Sequence, residues 1–289
     1  MSLPRPPRGR SSIRVSLAPA ALVAVGILAL SACTAPSALP AEGTAPSAAV
    51  ALPPTAALPD YQLGGAYDPA EGVGIVGRDR SAEPAAGLYS VCYVNGFQTQ
   101  PGELAEWPDG LLLHDGDEVV FVPDWPDEAL LDTTSAAQRS RIAEIVIPWI
   151  EGCADSGFQA VEFDNLDSFS RADGALTLDD NLALAELFVD AAHGVGLAAG
   201  QKNAAEHADA LKERAGFDFA VTEECAAYAE CGAYTAVYGP HVIDIEYTDQ
   251  LPRPFAELCA DPDTAASTVL RDRDLVTPDE EGYVFAGCP

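Results

Sequence analysis

Residues 160–169 have the sequence AVEFDNLDSF, and this stretch decides the fold. It begins like a buried β-strand and ends in acidic and amide side chains. Side chains alternate along a strand, so Val161 and Phe163 share one face while Glu162 and Asp164 share the other. A core strand that ends in acids is typical of proteins whose active site lies where parallel strands end.

Apolar segments of this kind recur along the chain and alternate with helical patterns, which predicts βα units and a parallel sheet. The predicted strands are 61–63, 73–76, 88–94, 160–163, 196–200, 217–222, 242–245 and 283–286. Eight strands are the number of a (β/α)8 TIM barrel, which is the predicted fold, in a single domain. Residues 119–122 could add a ninth strand or belong to an inserted hairpin.

Two helices are clear in the pattern. Apolar residues recur at helical spacing from Ile142 to Cys153, with Pro148 inside the helix, where a kink is expected. A second helix begins after Thr177, which can form a capping box with Asp180, and runs to Gly194.

The N-terminal region has the pattern of an export signal. Residues 1–32 contain four arginines and no acid, followed by a short apolar run that ends in Leu-Ser-Ala before Cys33. This end resembles a bacterial lipobox, so residues 1–32 are predicted to be a lipoprotein signal peptide and Cys33 its lipidation site. Residues 33–59, rich in Pro and Ala, form the predicted linker, and 60–289 the domain. The protein is expected on the outer face of the cell membrane, or extracellular.

Six cysteines remain when Cys33 is set aside, an even number that suggests disulfides in an exported chain. Cys225 and Cys231 lie close enough in sequence to close a local loop, while free buried thiols are the alternative. The Cys and His residues do not show zinc-site spacing, and no metal is predicted.

The formal charge is −30, and removing the four arginines of the leader would take it to about −34. Such a surface repels nucleic acid and anionic lipid, so contact with the membrane is expected through the lipid anchor alone. The charge favours solubility or a saline habitat, or it attracts a cationic partner.

Four predicted strands end in polar clusters: Asp164 with Asn165, Lys202 with Asn203, Glu223 with Glu224, and Glu246 with Tyr247. In a barrel these ends meet at one lip, where two carboxylates can differ in pKa as glycoside cleavage requires. Asp164 and Glu223 form the predicted pair, and Glu162 is predicted to be a core acid paired with Lys202. The alternative is that these acids cap the following helices. A nucleophile elbow of the GxSxG type is absent from the sequence.

The ordered set of EFDNLDSF, AHGVGLAAGQKNAAE, DFAVTEECAAYAEC and VIDIEY resembles glycoside hydrolase family 114, the endo-α-1,4-polygalactosaminidases. The stretches YQLGG, VCYVNGFQ and WPDEALLD are also similar to that family. The resemblance covers about residues 61–289. It implies a TIM barrel that cleaves α-1,4-linked galactosamine-rich polysaccharide without metal or organic cofactor.

By this resemblance Asp164 and Glu223 fall on the two catalytic carboxylates, and Asp132 falls on an Asp that follows a Trp-containing loop. The chain departs from the family at Thr222 and Glu224, where Asn and Gln are common. The charge of Glu224 is predicted to raise the pKa of Glu223, which suits an acid/base beside Asp164 as nucleophile in a retaining mechanism.

Further residues are predicted sugar contacts: Tyr93, Asp132, Asp167, Lys202, Asn203, Glu224, Glu246 and Tyr247. The expected partner is a cationic or partly deacetylated amino-polysaccharide, and the protein is expected to act as a monomer. The alternatives are a barrel that binds such a polymer without cutting it and a glycosidase of different linkage specificity.

Overall fold

The computed structural model of the protein describes residues 50–123 and 125–288. The predicted signal peptide, Cys33 and most of the predicted linker lie outside the described residues. None of the helices in the described ranges is both long and apolar enough to cross a membrane.

Nine strands form one mixed sheet that curls into a nearly closed barrel. The first eight run parallel and in chain order, and the ninth pairs antiparallel with the eighth. In a numbering that includes four short strands of an insertion, the barrel strands are β1 Leu58–Gln62, β2 Val73–Asp79, β3 Tyr89–Asn95, β8 Ala160–Asp164, β9 Ala198–Lys202, β10 Phe219–Glu223, β11 Val242–Tyr247, β12 Ser267–Arg271 and β13 Phe285–Gly287. This α/β architecture is consistent with the predicted TIM barrel.

The eighth parallel strand is not the segment that the sequence pattern predicted. Residues 283–286 overlap the antiparallel β13, whereas β12, with the sequence STVLR, completes the parallel set. Local patterning misses β12 because three of its five residues are polar or charged and find distant partners. Thr268 donates to Asp244 at 3.2 Å, and the fully buried Arg271 donates to Asp60 at 3.2 Å, which joins β12 to β1.

The insertion after β3 contains the four short strands as two hairpins. The first pairs β4 His114–Asp115 with β5 Glu118–Val119, and the second pairs β6 Phe121–Val122 with β7 Trp125–Ala129. The reading of residues 119–122 as hairpin rather than barrel strand is therefore the one that the structure supports. The 3-10 turns Leu104–Glu106 and Asp109–Leu111 precede these hairpins.

The two predicted helices form as expected. Helix α1 is Ala136–Ser156, begins after Ser135, whose side chain accepts from the Gln138 amide, and contains Pro148. Helix α2 is Leu178–Gly194, and both hydrogen bonds of its Thr177–Asp180 capping box are present. The remaining helices are α3 Ala208–Ala210, α4 Cys231–Tyr238 and α5 Phe255–Cys259, with a π-helix at Leu211–Ala215 and 3-10 turns at Ser168–Arg171 and Ala205–His207.

The core has two layers, one inside the barrel and one between barrel and helices. Each of the eight parallel strands contributes to a single inner apolar cluster, which includes the rings of Tyr61 and Phe219. Gly77 is needed beside Tyr61, because a Cβ there would lie 2.6 Å from the ring. The outer cluster joins the opposite strand faces to α1 and α2 and contains Val161 and Phe163, as the alternation predicted.

Three disulfides involve all six cysteines other than Cys33. Cys225–Cys231 closes the predicted local loop, and the other pairs are Cys92–Cys153 and Cys259–Cys288. The first of these two ties β3 to α1, a link that sequence spacing did not indicate.

Residues 50–57 pack against the barrel instead of forming part of a free spacer. The Pro53 carbonyl contacts the His241 ring at 3.0 Å, the Ala51 carbonyl accepts from the Tyr89 hydroxyl at 2.6 Å, and the Ala57 amide donates to Ser267 at 3.2 Å. The folded body therefore begins before residue 60, the boundary that composition indicated.

Candidate active site

Three neighbouring barrel strands end in charged residues that converge at one lip. Asp164, Lys202 and Glu223 are the last residues of β8, β9 and β10. The residue after each has a positive φ, namely Asn165 at 63°, Asn203 at 53° and Glu224 at 61°. This left-handed conformation turns the chain at once, and such departures from common backbone angles gather at functional sites.

Lys202 lies between the two carboxylates because its strand is the middle one. Its Nζ is 3.4 Å from Asp164 Oδ2 and 2.9 Å from Glu223 Oε2, and its side chain is almost fully buried. The two oxygens can be no farther apart than these distances laid end to end, about 6.3 Å. The structure thus brings together the predicted carboxylate pair.

A tyrosine stands on the outer side of each carboxylate. The Tyr93 hydroxyl, from β3, donates to Asp164 Oδ2 at 2.8 Å, and the Tyr247 hydroxyl, from β11, donates to Glu223 Oε1. Both rings are mostly buried, so they fix the orientation of the carboxylates from opposite sides. Five consecutive parallel strands of the barrel therefore supply the site.

Glu223 is held as a carboxylate, which corrects the predicted rise in its pKa. Burial alone would raise that pKa, but Lys202, Tyr247 and Asn203 outweigh burial and lower the pKa to about 2. Asn203 uses both ends of its amide here: Nδ2 donates to Glu223 Oε2 at 3.0 Å, and Oδ1 accepts from the Glu223 amide at 2.8 Å.

Glu224 does not act on Glu223 as predicted, because an arginine neutralises it. Arg273 donates to both oxygens of Glu224, at 2.7 and 3.3 Å, and also to Asp249. The guanidinium lies 4.4 Å over the Tyr247 ring. The additional acid in this chain thus binds Arg273 against the tyrosine that orients Glu223.

Glu162 lies inside the barrel as predicted, but it is not ion-paired with Lys202. It is fully buried, and neither carboxyl oxygen has a partner with hydrogen-bond geometry among residues 50–123 and 125–288. Burial raises the pKa of Glu162 to about 8, although Lys202 opposes this rise and Asp164 adds to it. Lys202 keeps its proton: burial would lower its pKa, but Asp164, Glu223 and Glu162 together raise it well above the usual value.

A cleft of about 820 Å³ opens above these strand ends. Eight of the residues predicted to carry the chemistry or to contact sugar line it: Tyr93, Asp164, Asp167, Lys202, Asn203, Glu223, Glu224 and Tyr247. Asp167 pairs there with Arg171 at 2.9 Å. That these residues contact sugar stays a prediction.

Asp132 and Glu246 do not line the cleft, which corrects their prediction as sugar contacts. Asp132 accepts from the Thr134 amide at 3.0 Å and from Gln138 at 3.2 Å, next to the start of α1. Glu246 is buried on the opposite face of β11 from Tyr247 and accepts from the Ala226 amide at 2.8 Å. Alternation along β11 could have identified this, since residues 246 and 247 must face opposite sides.

Several residues that line the cleft were not predicted from the sequence. Trp125 and Glu128 come from β7, Arg171 from the turn after β8, Tyr228 from the loop after β10, and Arg273 from the segment after β12. Trp125 and Glu128 lie in the same WPDEALLD stretch as Asp132. The resemblance to the family therefore identified a segment that reaches the cleft, but Glu128 and not Asp132 is the acid of this segment that lines it. Tyr228 and Trp125 are the most exposed large aromatic residues, at 59% and 52%.

The cleft is strongly acidic, since acids outnumber bases among its lining residues by eight to three. All three bases are in ion pairs: Arg171 with Asp167, Lys202 with the two carboxylates, and Arg273 with Glu224. Elsewhere Cys225, Cys231 and Asp244 converge, but the disulfide occupies both sulfurs and leaves no thiolate ligands for a metal.

Comparisons with known proteins bear on the family and on the fold. The model of the glycoside-hydrolase family GH114 matches residues 40–288. Among solved structures, Aspergillus fumigatus Ega3 in complex with galactosamine is 22% identical, with a TM-score of 0.67 over 84% of this chain and 100% of that one. A variant of the glycoside hydrolase domain of PelA from Pseudomonas aeruginosa is 14% identical, with a TM-score of 0.52 over 78% and 97%. No curated protein sequence matches the chain significantly.

Proposed function

Because the chain belongs to glycoside-hydrolase family GH114, we propose that it is an endo-acting enzyme that cleaves α-1,4-linked, galactosamine-containing polysaccharide. Asp164 and Glu223 are the proposed reacting carboxylates. The observation that carries this proposal is their convergence on one buried lysine at the carboxyl ends of three consecutive barrel strands. Such a pair can supply the nucleophile and the acid/base of glycoside hydrolysis.

The spacing of the two carboxylates favours retention of the anomeric configuration. Their facing oxygens are at most about 6.3 Å apart. Inverting enzymes need about 6.5–9.5 Å to admit a water molecule, whereas retaining enzymes place the groups about 5–5.5 Å apart. NMR of the first product formed would show the α-anomer under this proposal and the β-anomer if a water attacked directly.

The substrate class is supported by the charge of the cleft and by the structural neighbour that was solved with galactosamine. A polymer with free amino groups is cationic, and the cleft offers an excess of carboxylates. The exposed rings of Trp125 and Tyr228 suit stacking on sugar faces.

The proposed site of action is outside the cell. Three disulfides are consistent with an oxidising compartment, and the leader with Cys33 supports an anchor in the outer face of the membrane. Fractionation of cells expressing the protein or its Cys33→Ser variant tests this, since loss of the anchor should release the protein from membranes.

Activity is tested by the release of reducing ends from deacetylated α-1,4-linked galactosaminoglycan by the full-length protein. Asp164→Asn and Glu223→Gln should each lower the rate at least ~100-fold, because each removes a reacting group. Asp132→Asn is the matched control and should keep most of the activity, since Asp132 lies outside the cleft. Binding without any release by the unmutated protein would favour a non-catalytic polysaccharide-binding barrel.

Which carboxylate is the nucleophile and which is the acid/base requires a separate test, because the pKa of Glu223 is lowered and not raised. The lowered pKa of Glu223 keeps it ionised in the free enzyme, as a nucleophile must be, and favours the reverse of the predicted order. An aryl galactosaminide with a good leaving group distinguishes the two orders. The acid/base variant should retain glycosyl-enzyme formation from this substrate, and the nucleophile variant should not.

A further inference from the structure

Glu128 differs from the other acids of the cleft in its surroundings. The two reacting carboxylates share Lys202, Asp167 pairs with Arg171, and Glu224 pairs with Arg273. The remaining acids of the cleft, apart from Glu128, are exposed to solvent. Glu128 is 9% exposed, and no Lys, Arg or His in the described ranges forms an ion pair with it.

The neighbours of Glu128 are neutral amides, and they occupy one of its two oxygens. Gln98 Nε2 donates to Oε2 at 2.9 Å and Asn95 Nδ2 donates to the same atom at 3.3 Å. No hydrogen bond from the described part of the chain reaches Oε1. A desolvated carboxylate without a counter-ion is costly, and burial accordingly raises the pKa of Glu128.

The same amides connect Glu128 to the reacting centre. Asn95 accepts at Oδ1 from Asn165 Nδ2 at 3.0 Å, and Asn165 is the residue that turns the chain after Asp164. Arg171 lies beyond this network, where it donates to Gln98 and Asn165 at 2.9 and 3.0 Å. Glu128 is therefore held rigidly, two hydrogen bonds away from the residue that follows the proposed catalytic Asp164.

The hairpin that carries Glu128 also presents an aromatic ring to the same cleft. Trp125, three residues earlier on β7, is 52% exposed and lines the cleft with Glu128. A sugar that stacks on this indole would lie in the cleft whose wall includes the Glu128 carboxylate. Together the two residues offer an apolar face and one negative charge, which are the complements of an amino sugar.

From these contacts we infer that Glu128 is a specificity-determining residue whose carboxylate binds the protonated amino group of a deacetylated galactosamine unit beside the scissile bond. This inference rests on the proposed function and deepens it. An N-acetylated sugar brings an uncharged amide to the same place and leaves Glu128 without a cation. The protein should accordingly discriminate between the two forms of the polymer at this residue.

The test is equilibrium binding of α-1,4-linked galactosamine oligosaccharide and of its N-acetylated counterpart of equal length. Both are titrated against the full-length Asp164→Asn, Glu223→Gln protein, which should not turn them over, with and without Glu128→Gln. We expect Glu128→Gln to lower the ratio of affinities, deacetylated over acetylated, by at least about tenfold, the range of one charge-assisted hydrogen bond. Glu118→Gln removes one exposed acid from the neighbouring hairpin and should leave the ratio unchanged.

The outcomes separate this inference from the proposed function. An unchanged ratio in Glu128→Gln, or no preference for the deacetylated form before substitution, would overturn the role of Glu128 even if the enzyme cleaves the polymer. Selective binding without release of reducing ends by the unmutated protein would instead refute the proposed activity alone. If thermal unfolding shows that the Gln variant is not folded, Glu128→Asp replaces it. That variant retracts the charge by one methylene and should shift the ratio in the same direction.

Discussion

Individual acids in this protein have different tasks although they look alike in the sequence. Asp164 and Glu162 lie on the same face of one strand, two residues apart. Asp164 reaches the lip and accepts from Tyr93 and Lys202, while Glu162 remains in the barrel interior, where no group of the described chain meets hydrogen-bond geometry with it. Two positions along β8 therefore separate Asp164, a proposed reacting group, from Glu162, an acid buried in the barrel interior.

Glu162 is expected to make stability depend on pH. Its pKa rises from 4.5 to about 8 on burial, so between these values the folded protein holds a proton that the unfolded chain has released. The free energy of unfolding should therefore fall as pH rises through this window. Glu162→Gln removes this contribution, so its stability relative to the wild type should increase with pH by up to a few kcal/mol.

Urea unfolding at several pH values between 5 and 8 would measure this effect, with the disulfides intact. Glu118→Gln, an exposed acid, controls for the loss of one formal charge. Parallel pH profiles for the wild type and Glu162→Gln would show that Glu162 is already ionised within the barrel.

At the scale of elements, the closure of the barrel depends on one strand that is poor in apolar residues. Arg271 on β12 is fully buried and donates to Asp60 and to the Tyr61 carbonyl on β1, and to carbonyls of the following segment. The Asp60 carboxylate also accepts from Gln62 and Tyr67, each at 2.7 Å. A polar seam, instead of a continuous ladder of backbone hydrogen bonds, thus joins the first and eighth strands.

Arg271→Met should lower the free energy of unfolding by about 3–5 kcal/mol, because it leaves Asp60 buried without its cation. Arg253→Gln is the matched control, since Arg253 forms an ion pair with Asp261 in which both side chains are partly exposed. A denaturant titration of both variants measures the difference. Equal losses in the two variants would show that the β1–β12 seam contributes no more than a surface ion pair.

At the scale of the whole molecule, the negative charge of the surface and that of the cleft have the same sign. The formal charge of −30 would attract a cationic polymer over several ångströms, and salt would screen this attraction. The apparent second-order rate constant on deacetylated polymer should thus fall as NaCl rises from low to physiological concentration and beyond.

The N-acetylated polymer is the control, since it carries no charge and should show little dependence on salt. Viscosity and pH are held constant across the series. A rate on deacetylated polymer that does not change with ionic strength would show that long-range attraction does not contribute to the rate. Recognition of the polymer would then depend on local contacts such as Glu128.

The sequence by itself determined those features that depend on neighbouring residues. The alternation in AVEFD, the Thr177–Asp180 capping box and the Cys225–Cys231 loop are local patterns, and each appears in the structure as predicted. The convergence of Asp164 and Glu223 also followed, because the ends of consecutive parallel strands must meet at one edge.

Tertiary structure decided which polar groups find partners far along the chain. Strand β12 was missed because its polar side chains are satisfied by β1 and β11, and Glu224 was misjudged because Arg273, 49 residues away, neutralises it. Glu128 differs in the opposite way, since folding buries it among amides from a segment 30 residues away, and no cation from the described part of the chain pairs with it. Burial and long-range pairing set the charge state of a side chain, and neither can be deduced from its neighbours in the sequence.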